Sequence, residues 1–294
     1  MKPAPFTYHR PRTRDDVDRL LAELGEEAKV LAGGQSLIPV LNMRLGAVRH
    51  LLDVNHLADE PRAPRLDGGA LTFGPLVRHE AAERSPVVAE HCPVLRETIG
   101  FVAHPAIRSR GTVVGSVAHA DPAAELPPLL VALEGEAVAR GVRGRRTIPA
   151  HELFAGHLEN TLAPDEWLEE VRFPVCRAPR AATIDEFARR HGDYALCSVV
   201  AVAERDGDAV RVALTYGGMG PVPLRVAAPP LAPEELEGPA LDDAVAAIVG
   251  ERLEPEEDIH ASVAYRTWLA RRLGARAARR AGRAALAAVP GATP

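Results

Sequence analysis

Apolar positions along this chain change their period several times, and each change predicts an element. Asp15 and Asp16 lead into VDRLLAEL, where Val17, Leu20, Leu21 and Leu24 recur at helical spacing until Gly25 closes the helix. AKVLA reads as a short buried strand running into Gly33-Gly34. Ser36 is positioned to cap the following helix, with Pro39 in its first turn, where a missing N–H does least harm. HLLDV reads as the next strand, so the opening is strand, glycine turn, helix, strand. Residues 59–75 are a Pro/Gly-rich loop leading into the strand ALTFG.

A helix is expected from about His79, and VLRETIGFVAH continues the helical pattern. GTVVGS is β-prone and bracketed by glycines. Asp121-Pro122 reads as an N-cap followed by proline at the first helical position. AAELPPLLVAL carries that helix on, with Pro127 and Pro128 expected to bend or interrupt it. EAVARGVRGRRTIPA reads as a hairpin. The proline-punctuated stretch VRFPVCRAPRAAT separates two patterned halves. Beyond it, SVVAVAERDGDAVRVALTYGG is two strands joined at Asp206-Gly207. A proline-rich link over 226–240 precedes helices over 241–251 and 261–288.

Composition narrows the class. The 294 residues suffice for two ordinary domains, and 47% apolar with 26% charged residues predicts packed cores. The net charge of −5 gives no electrostatic reason to expect nucleic acid as a partner. The arginine-rich last helix, YRTWLARRLGARAARRAGRAAL, reads as a solvated basic face. Cys92, Cys176 and Cys197 are too widely spaced for an iron–sulfur or zinc site, and no disulfide framework is suggested. MKPAPFTYHRPRTRDD lacks an apolar signal core, and no apolar run reaches ~18 residues, so no membrane span is expected and cytoplasm is the expected location.

Three constellations offer chemistry. In AGGQS, Ala32 to Ser36, glycines let backbone approach a ligand, and successive N–H groups form a nest for an anion such as a diphosphate; a plain strand–turn–helix corner is the alternative. In GTVVGS with HADPAAE, Thr112 and Ser116 offer hydroxyls, while Asp121 and Glu125 serve either the helix start or the sugar hydroxyls of a ligand. In RRHGDYAL, Tyr194 follows a Gly-Asp turn, where its ring is placed either to stack on a flat cofactor or to pack half into the core. The eleven histidines form no HxxxH or HExxH pattern, Gly-x-Ser-x-Gly is absent, and neither a metal site nor a catalytic triad is assigned.

Taken together and in order, PFTYHRPRT, LAGGQSLIPVLNMRL, RSRGTVVGSVAHADPAAELP, LAPDEWLEEVRFP, RRHGDYAL, GGMGPVPLR and DIHASVAYRTWLARRL make the chain resemble the FAD-binding medium subunit of the molybdenum hydroxylases, the carbon monoxide dehydrogenase and xanthine dehydrogenase families. The resemblance implies an α+β protein. A two-part FAD-binding domain of PCMH type would occupy 1–176, and a smaller C-terminal domain of antiparallel sheet plus helices 177–290. It implies FAD lined by Ala32, Gly33, Gly34, Gln35 and Ser36 at the diphosphate and by Thr112, Val113, Val114, Gly115 and Ser116 in a second backbone cradle. Asp121 or Glu125 would bond the flavin's polar chain, and Leu168 and Tyr194 would lie near the isoalloxazine ring.

The partners implied are a small [2Fe-2S] subunit and a large molybdopterin subunit in a dimer of heterotrimers. Electrons would enter from the clusters and leave to NAD+, a quinone or another acceptor. Val114 stands where the family's Thr-Ile-Gly-Gly-Ser has glycine. It puts a branched side chain where backbone usually approaches the cofactor, and it would be strained if that position has φ > 0. Two alternatives are a stand-alone FAD oxidoreductase and a cofactor-free scaffold that keeps the fold.

Overall fold

The computed structural model describes residues 2–58, 60–176 and 180–287. Thr13 opens the first helix, α1 (Arg14–Leu24). Its hydroxyl accepts the Asp16 N–H, and the Asp16 carboxylate accepts the Thr13 N–H, a reciprocal capping box. Asp15 and Asp16 thus lie in the first turn, where negative charge suits the helix dipole. Strands β1 (Thr7–His9), β2 (Ala28–Leu31) and β3 (His50–Asp53) form a parallel sheet in the order β1-β3-β2, with the short helix α2 (Leu37–Asn42) on the β2–β3 crossover. Val17 and Leu21 bury the inner face of α1 together with Leu52, Val54, Leu76 and Trp167, each worth roughly 1.5–3 kcal/mol on burial.

The second part of the N-terminal half is a five-stranded antiparallel sheet. It contains β4 (Arg65–Asp67), β5 (Ala70–Phe73), β6 (Glu136–Gly141), β7 (Gly144–Pro149) and β10 (Trp167–Pro174) in the order β4-β5-β10-β6-β7; β8 (Phe154–Gly156) and β9 (Glu159–Asn160) pair apart from it. Short helices cover one face: α3 (His79–Glu83), α4 (Pro86–His91), α5 (Pro93–Phe101), α6 (Pro105–Arg108), α7 (Val113–His119), α8 (Leu126–Ala132) and α9 (Ala150–Leu153). Glu169, buried on β10, is held by Arg14 of α1 and by Arg140 and Arg145 of β6 and β7. Arg14 also forks onto Glu60, so charge ties the two parts together.

The C-terminal half is the four-stranded antiparallel sheet β11 (Arg180–Phe187), β12 (Cys197–Asp206), β13 (Ala209–Gly217) and β14 (Leu224–Ala227), in that order. β12 and β13 turn at Asp206-Gly207, where Gly207 has φ +60°, as the Asp-Gly signal predicts. Strand alternation splits the sheet between two cores. Ala182, Ile184, Val200 and Val202 face the N-terminal half and join its core. Ala181, Val199, Ala201 and Ala203 face α10 (Pro239–Arg252) and the long α11 (Val263–Ala287). Helices over 241–251 and 261–288 are thus found with slightly shifted ends, Ala288 lying outside the described residues, as do Arg177, Ala178 and Pro179 of the proline-punctuated stretch.

Four local expectations are corrected. GTVVGS is not a strand: Thr112 is the N-cap of α7, its hydroxyl accepting the Gly115 N–H at 3.0 Å, and Val113, Val114 and Val117 are buried in the core. Asp121 is not an N-cap, because α8 begins only at Leu126; Asp121 accepts the Ala123 N–H at 2.9 Å and closes a turn instead. Pro127 and Pro128 therefore occupy the first turn of α8, where no N–H is needed, and neither bends nor breaks it. Ser36 sits at the N-cap of α2 in helical conformation and its hydroxyl makes no capping bond.

Candidate functional site

The two glycine turns meet. A Cβ on Gly33 would fall 2.6 Å from the Arg110 carbonyl oxygen and 2.7 Å from Gly111 Cα, a backbone-on-backbone approach that admits no side chain. Gly34 has φ +72°, the left-handed conformation that glycine adopts without strain. Among the described residues, the N–H groups of Gly33, Gly34, Gln35 and Ser36 have no acceptor within the chain. Gln35 turns its amide back to the Gly33 carbonyl at 3.2 Å. A run of unpaired amides at the surface is the donor set an anionic group requires.

A polar frame that the sequence reading missed holds the turns in register. Asn55 donates to the Ala32 carbonyl at 2.7 Å and to Asp53 Oδ1 at 2.6 Å, and accepts from Arg78. Arg78 also donates to the Arg110 carbonyl, and the chain at 77–79 runs beside the second turn through Val113 N–H to Val77 O at 3.1 Å and His79 N–H to Gly111 O at 3.0 Å. Tyr8 donates to the other oxygen of Asp53. Burial, then the neighbouring Arg110 and Arg62, hold the Arg78 guanidinium below its usual range against the opposing charge of Asp53, and among the described residues no ion pair holds it. Three arginines around unpaired amides give a net acidic protein a local site for a diphosphate. Below them His79 is buried with neither ring nitrogen bonded, and burial first, then Arg108, lower its pKa to about 4, so the ring is neutral.

Val114 is the second residue of α7, 4% exposed, with helical backbone, so the strain a positive φ would bring does not arise. Its methyls pack into the core with Val113 and Val117, away from the surface that Gly115 and Ser116 present. Gly115 carries its own requirement: a Cβ there would lie 2.7 Å from Thr112 Oγ1 and collide with the cap.

Asp121, Glu125 and Tyr194 come together where the two halves join. Gly192, φ +86°, lets the Gly-Asp-Tyr turn lie on the 103–104 loop, its Cβ position only 2.6 Å from the His104 ring. The Gly218 N–H donates to the Pro122 carbonyl at 2.7 Å. The Tyr194 side chain is 61% exposed, but its hydroxyl lies against Asp121, and burial, then the charges of Asp121 and Glu125, push it up to about 12. Glu125 is 6% exposed, and burial raises its carboxyl to about 7. Leu168 is spent differently: its side chain is in the core, and only its main chain, beside a register shift between Leu168 and Glu170, remains for a ligand.

These residues fit FAD. The glycine cradle, the unpaired amides and the Arg78 charge suit the diphosphate; the half-buried carboxylate of Asp121 suits hydroxyls; and the open Tyr194 ring suits a flat heterocycle.

Residues 4–176 match the family described as FAD binding domain in molybdopterin dehydrogenase, and residues 182–281 match the CO dehydrogenase flavoprotein C-terminal domain. The chain is similar to the nicotine 6-hydroxylase medium subunit of Paenarthrobacter nicotinovorans, 38% identical over 280 residues, covering 93% of this chain and 96% of that one. It is 32% identical over 287 residues to the carbon monoxide dehydrogenase medium chain of Hydrogenophaga pseudoflava, covering 94% and 97%. A chain of the solved carbon monoxide dehydrogenase from Hydrogenophaga pseudoflava matches the fold with a TM-score of 0.88 at 31% identity, over 97% of this chain and 99% of that one.

Proposed function

This chain belongs to the FAD-binding medium subunits of the molybdenum hydroxylases, and we propose that it serves such a complex as the outlet for electrons. The partners are a small [2Fe-2S] subunit, which delivers electrons to it, and a large molybdopterin subunit, which oxidises the organic substrate, assembled as a dimer of heterotrimers in the cytoplasm. Among the described residues no helix is long and apolar enough to cross a membrane. FAD, when bound, joins one-electron carriers to a two-electron acceptor, whether NAD+, a quinone or another oxidant.

The chain's own residues bind and orient. In this reading residues 1–176 form the FAD-binding unit and 177–290 the C-terminal unit. Ala32 to Ser36 hold the diphosphate with main-chain N–H groups. Thr112 to Ser116, whose Val113, Gly115 and Ser116 N–H groups are already bonded within the chain, form the second wall of the cradle, and Arg78 neutralises the charge while fixing both turns to each other. Asp121, half-buried with one oxygen committed to the Ala123 N–H, presents the other side of its carboxylate to the hydroxyl chain. Tyr194 and the Leu168 main chain border the ring. The relatives act on substrates as different as nicotine and carbon monoxide by name; here substrate choice is assigned to the large subunit.

The observation that carries this reading is the contact of Gly33 with Arg110 and Gly111, which makes one cradle of two turns far apart in sequence. The test is the absorbance spectrum of the purified chain, followed by FAD titration of any colourless fraction. Flavin bands near ~450 nm that release as FAD support the reading. A folded chain that refuses FAD points to the scaffold instead. Co-purification with a cysteine-rich small subunit and a molybdenum-containing large subunit separates the complex from a stand-alone flavoenzyme.

A further inference from the structure

The face of the C-terminal sheet that meets the N-terminal half is apolar for two rows and then changes character. Ala182 and Ile184 of β11 are followed on the same face by Glu186, and Val202 and Val200 of β12 by Ser198. Glu186, Ser198 and Gly217 are direct cross-strand neighbours. They lie against the turn that carries Asp121 and Glu125: a Cβ on Gly217 would meet Ser198 Oγ at 2.6 Å, Pro128 Cγ at 3.0 Å and the Pro122 carbonyl at 3.5 Å. Ser198 is 0% exposed, and its Oγ has no partner; nor has the buried Oε2 of Glu186. Two adjacent buried oxygens without partners are costly unless a ligand completes them. Glu125, whose charge acts on both Glu186 and Tyr194, links these oxygens to the side assigned above to the flavin ring.

Among the described residues no ion pair joins Glu186 to a cation, and the charge acting on it is that of Glu125. On the preceding turn Glu125 faces Glu186 and Asp121 lies beside Glu125; His119 and Tyr194 lie beside Asp121; on β12, Cys197 is close to Glu186. From α11, the two terminal nitrogens of Arg266 are committed to Asp258 and to the Leu196 and Gly218 carbonyls, while its buried Nε has no partner and makes no ion pair with Glu186. Arg276 and Arg280 are held on the opposite face by Asp185, and Glu97 of α5 is held by Arg280. Burial, then the charge of Glu125, push the Glu186 carboxyl up to about 8.

We propose that Glu186 is a proton-taking partner of the bound FAD, so that electrons arriving at the ring are accompanied by a proton at Glu186 Oε2. This rests on the FAD reading. In the pH range where Glu186 is ionised, the balanced step is oxidised FAD, one Glu186 carboxylate, two electrons and two protons giving the reduced anion FADH− and one Glu186 carboxylic acid. One proton forms an N–H bond on the ring and the other an O–H bond on Glu186. The electrons come from the one-electron carriers of the partner subunit, or from the reductant of the assay. The physical reason is charge: an added negative charge in a buried seam already lined by carboxyl groups favours protonation there, and Glu186 is the carboxyl whose buried oxygen has no partner.

The test is a spectroelectrochemical titration of the FAD-loaded full chain between pH 8 and 9.5, with Glu186→Gln and Glu125→Gln beside it. In a two-electron couple each proton taken up shifts the midpoint by about 30 mV per pH unit. The expected slope for the wild type and for Glu125→Gln rises from about 45 mV per pH unit at pH 8, where Glu186 is half ionised, toward about 60 at pH 9.5, and is about 30 throughout for Glu186→Gln. A wild-type slope of about 30 overturns the proposal, as does a loss of slope in Glu125→Gln with Glu186→Gln unchanged. If Glu186→Gln takes up no FAD, the wild type and Glu125→Gln decide between the same outcomes. A colourless wild-type chain overturns the FAD reading, whereas a yellow chain with the shallow slope overturns this proposal alone.

Discussion

Gly33 and His79 show what single residues contribute beneath the cofactor. Gly33→Ala puts a Cβ against main chain rather than against a movable side chain, so the two turns must part. The expected result is at least a tenfold weaker FAD affinity, read by titration, with a loss of roughly 1–3 kcal/mol in stability. His79 stays neutral when folded, with a pKa of about 4 against 6.5 in the free residue. The unfolded chain therefore binds the extra proton first as pH falls, and the stability this neutral ring supports is present above pH 6.5 and lost toward pH 4. The full difference is about 3 kcal/mol. His79→Gln, which cannot titrate, should lose less stability than the wild type in denaturant melts between those pH values. A gap between the two proteins that does not change with pH would contradict the burial argument.

The glycine pair was readable because only glycine tolerates such contact and such a φ. Arg78, Asn55, His79 and Glu186 were not, because an arginine, an amide, a histidine or a glutamate in ordinary sequence carries no sign of burial or of a missing partner.

At the scale of elements, periodicity located β2, α1, the β6–β7 hairpin and the β12–β13 hairpin, because each buries one face and ends in a turn residue of known geometry. It failed at α7 and α8. Thr-Val-Val is strand-like by local preference, yet here the Thr112 cap and the burial of Val113, Val114 and Val117 make it helical. Asp-Pro looks like a helix start, yet the turn at Asp121 delays α8 by several residues so that both later prolines fall in its first turn. The same placement decides what Val114 means. Restoring glycine removes core contacts and adds backbone freedom inside a helix. Val114→Gly should thus cost roughly 2–4 kcal/mol, seen as a lower denaturation midpoint, without tightening FAD. A Val114→Gly chain that binds FAD ten times more tightly would show that the valine does obstruct the cofactor.

For the whole molecule, the decisive feature is that the C-terminal sheet is shared between two cores. Ile184, Val200 and Val202 are buried with residues of the N-terminal half, while the opposite face of the same strands is sealed by α10 and α11. A sheet used on both faces cannot leave one core without exposing the other, so the two halves should unfold together although each matches a family of its own. FAD adds a term to that single equilibrium, because it binds only the folded cradle. At free FAD a hundredfold above its dissociation constant the gain is about 2.7 kcal/mol, which for a single unit of this size raises the melting temperature by roughly 4–5 °C. Differential scanning calorimetry should therefore show one transition that moves as a whole when FAD is added. Two transitions, of which FAD moves only the one belonging to residues 1–176, would mean that the seam contributes little to stability.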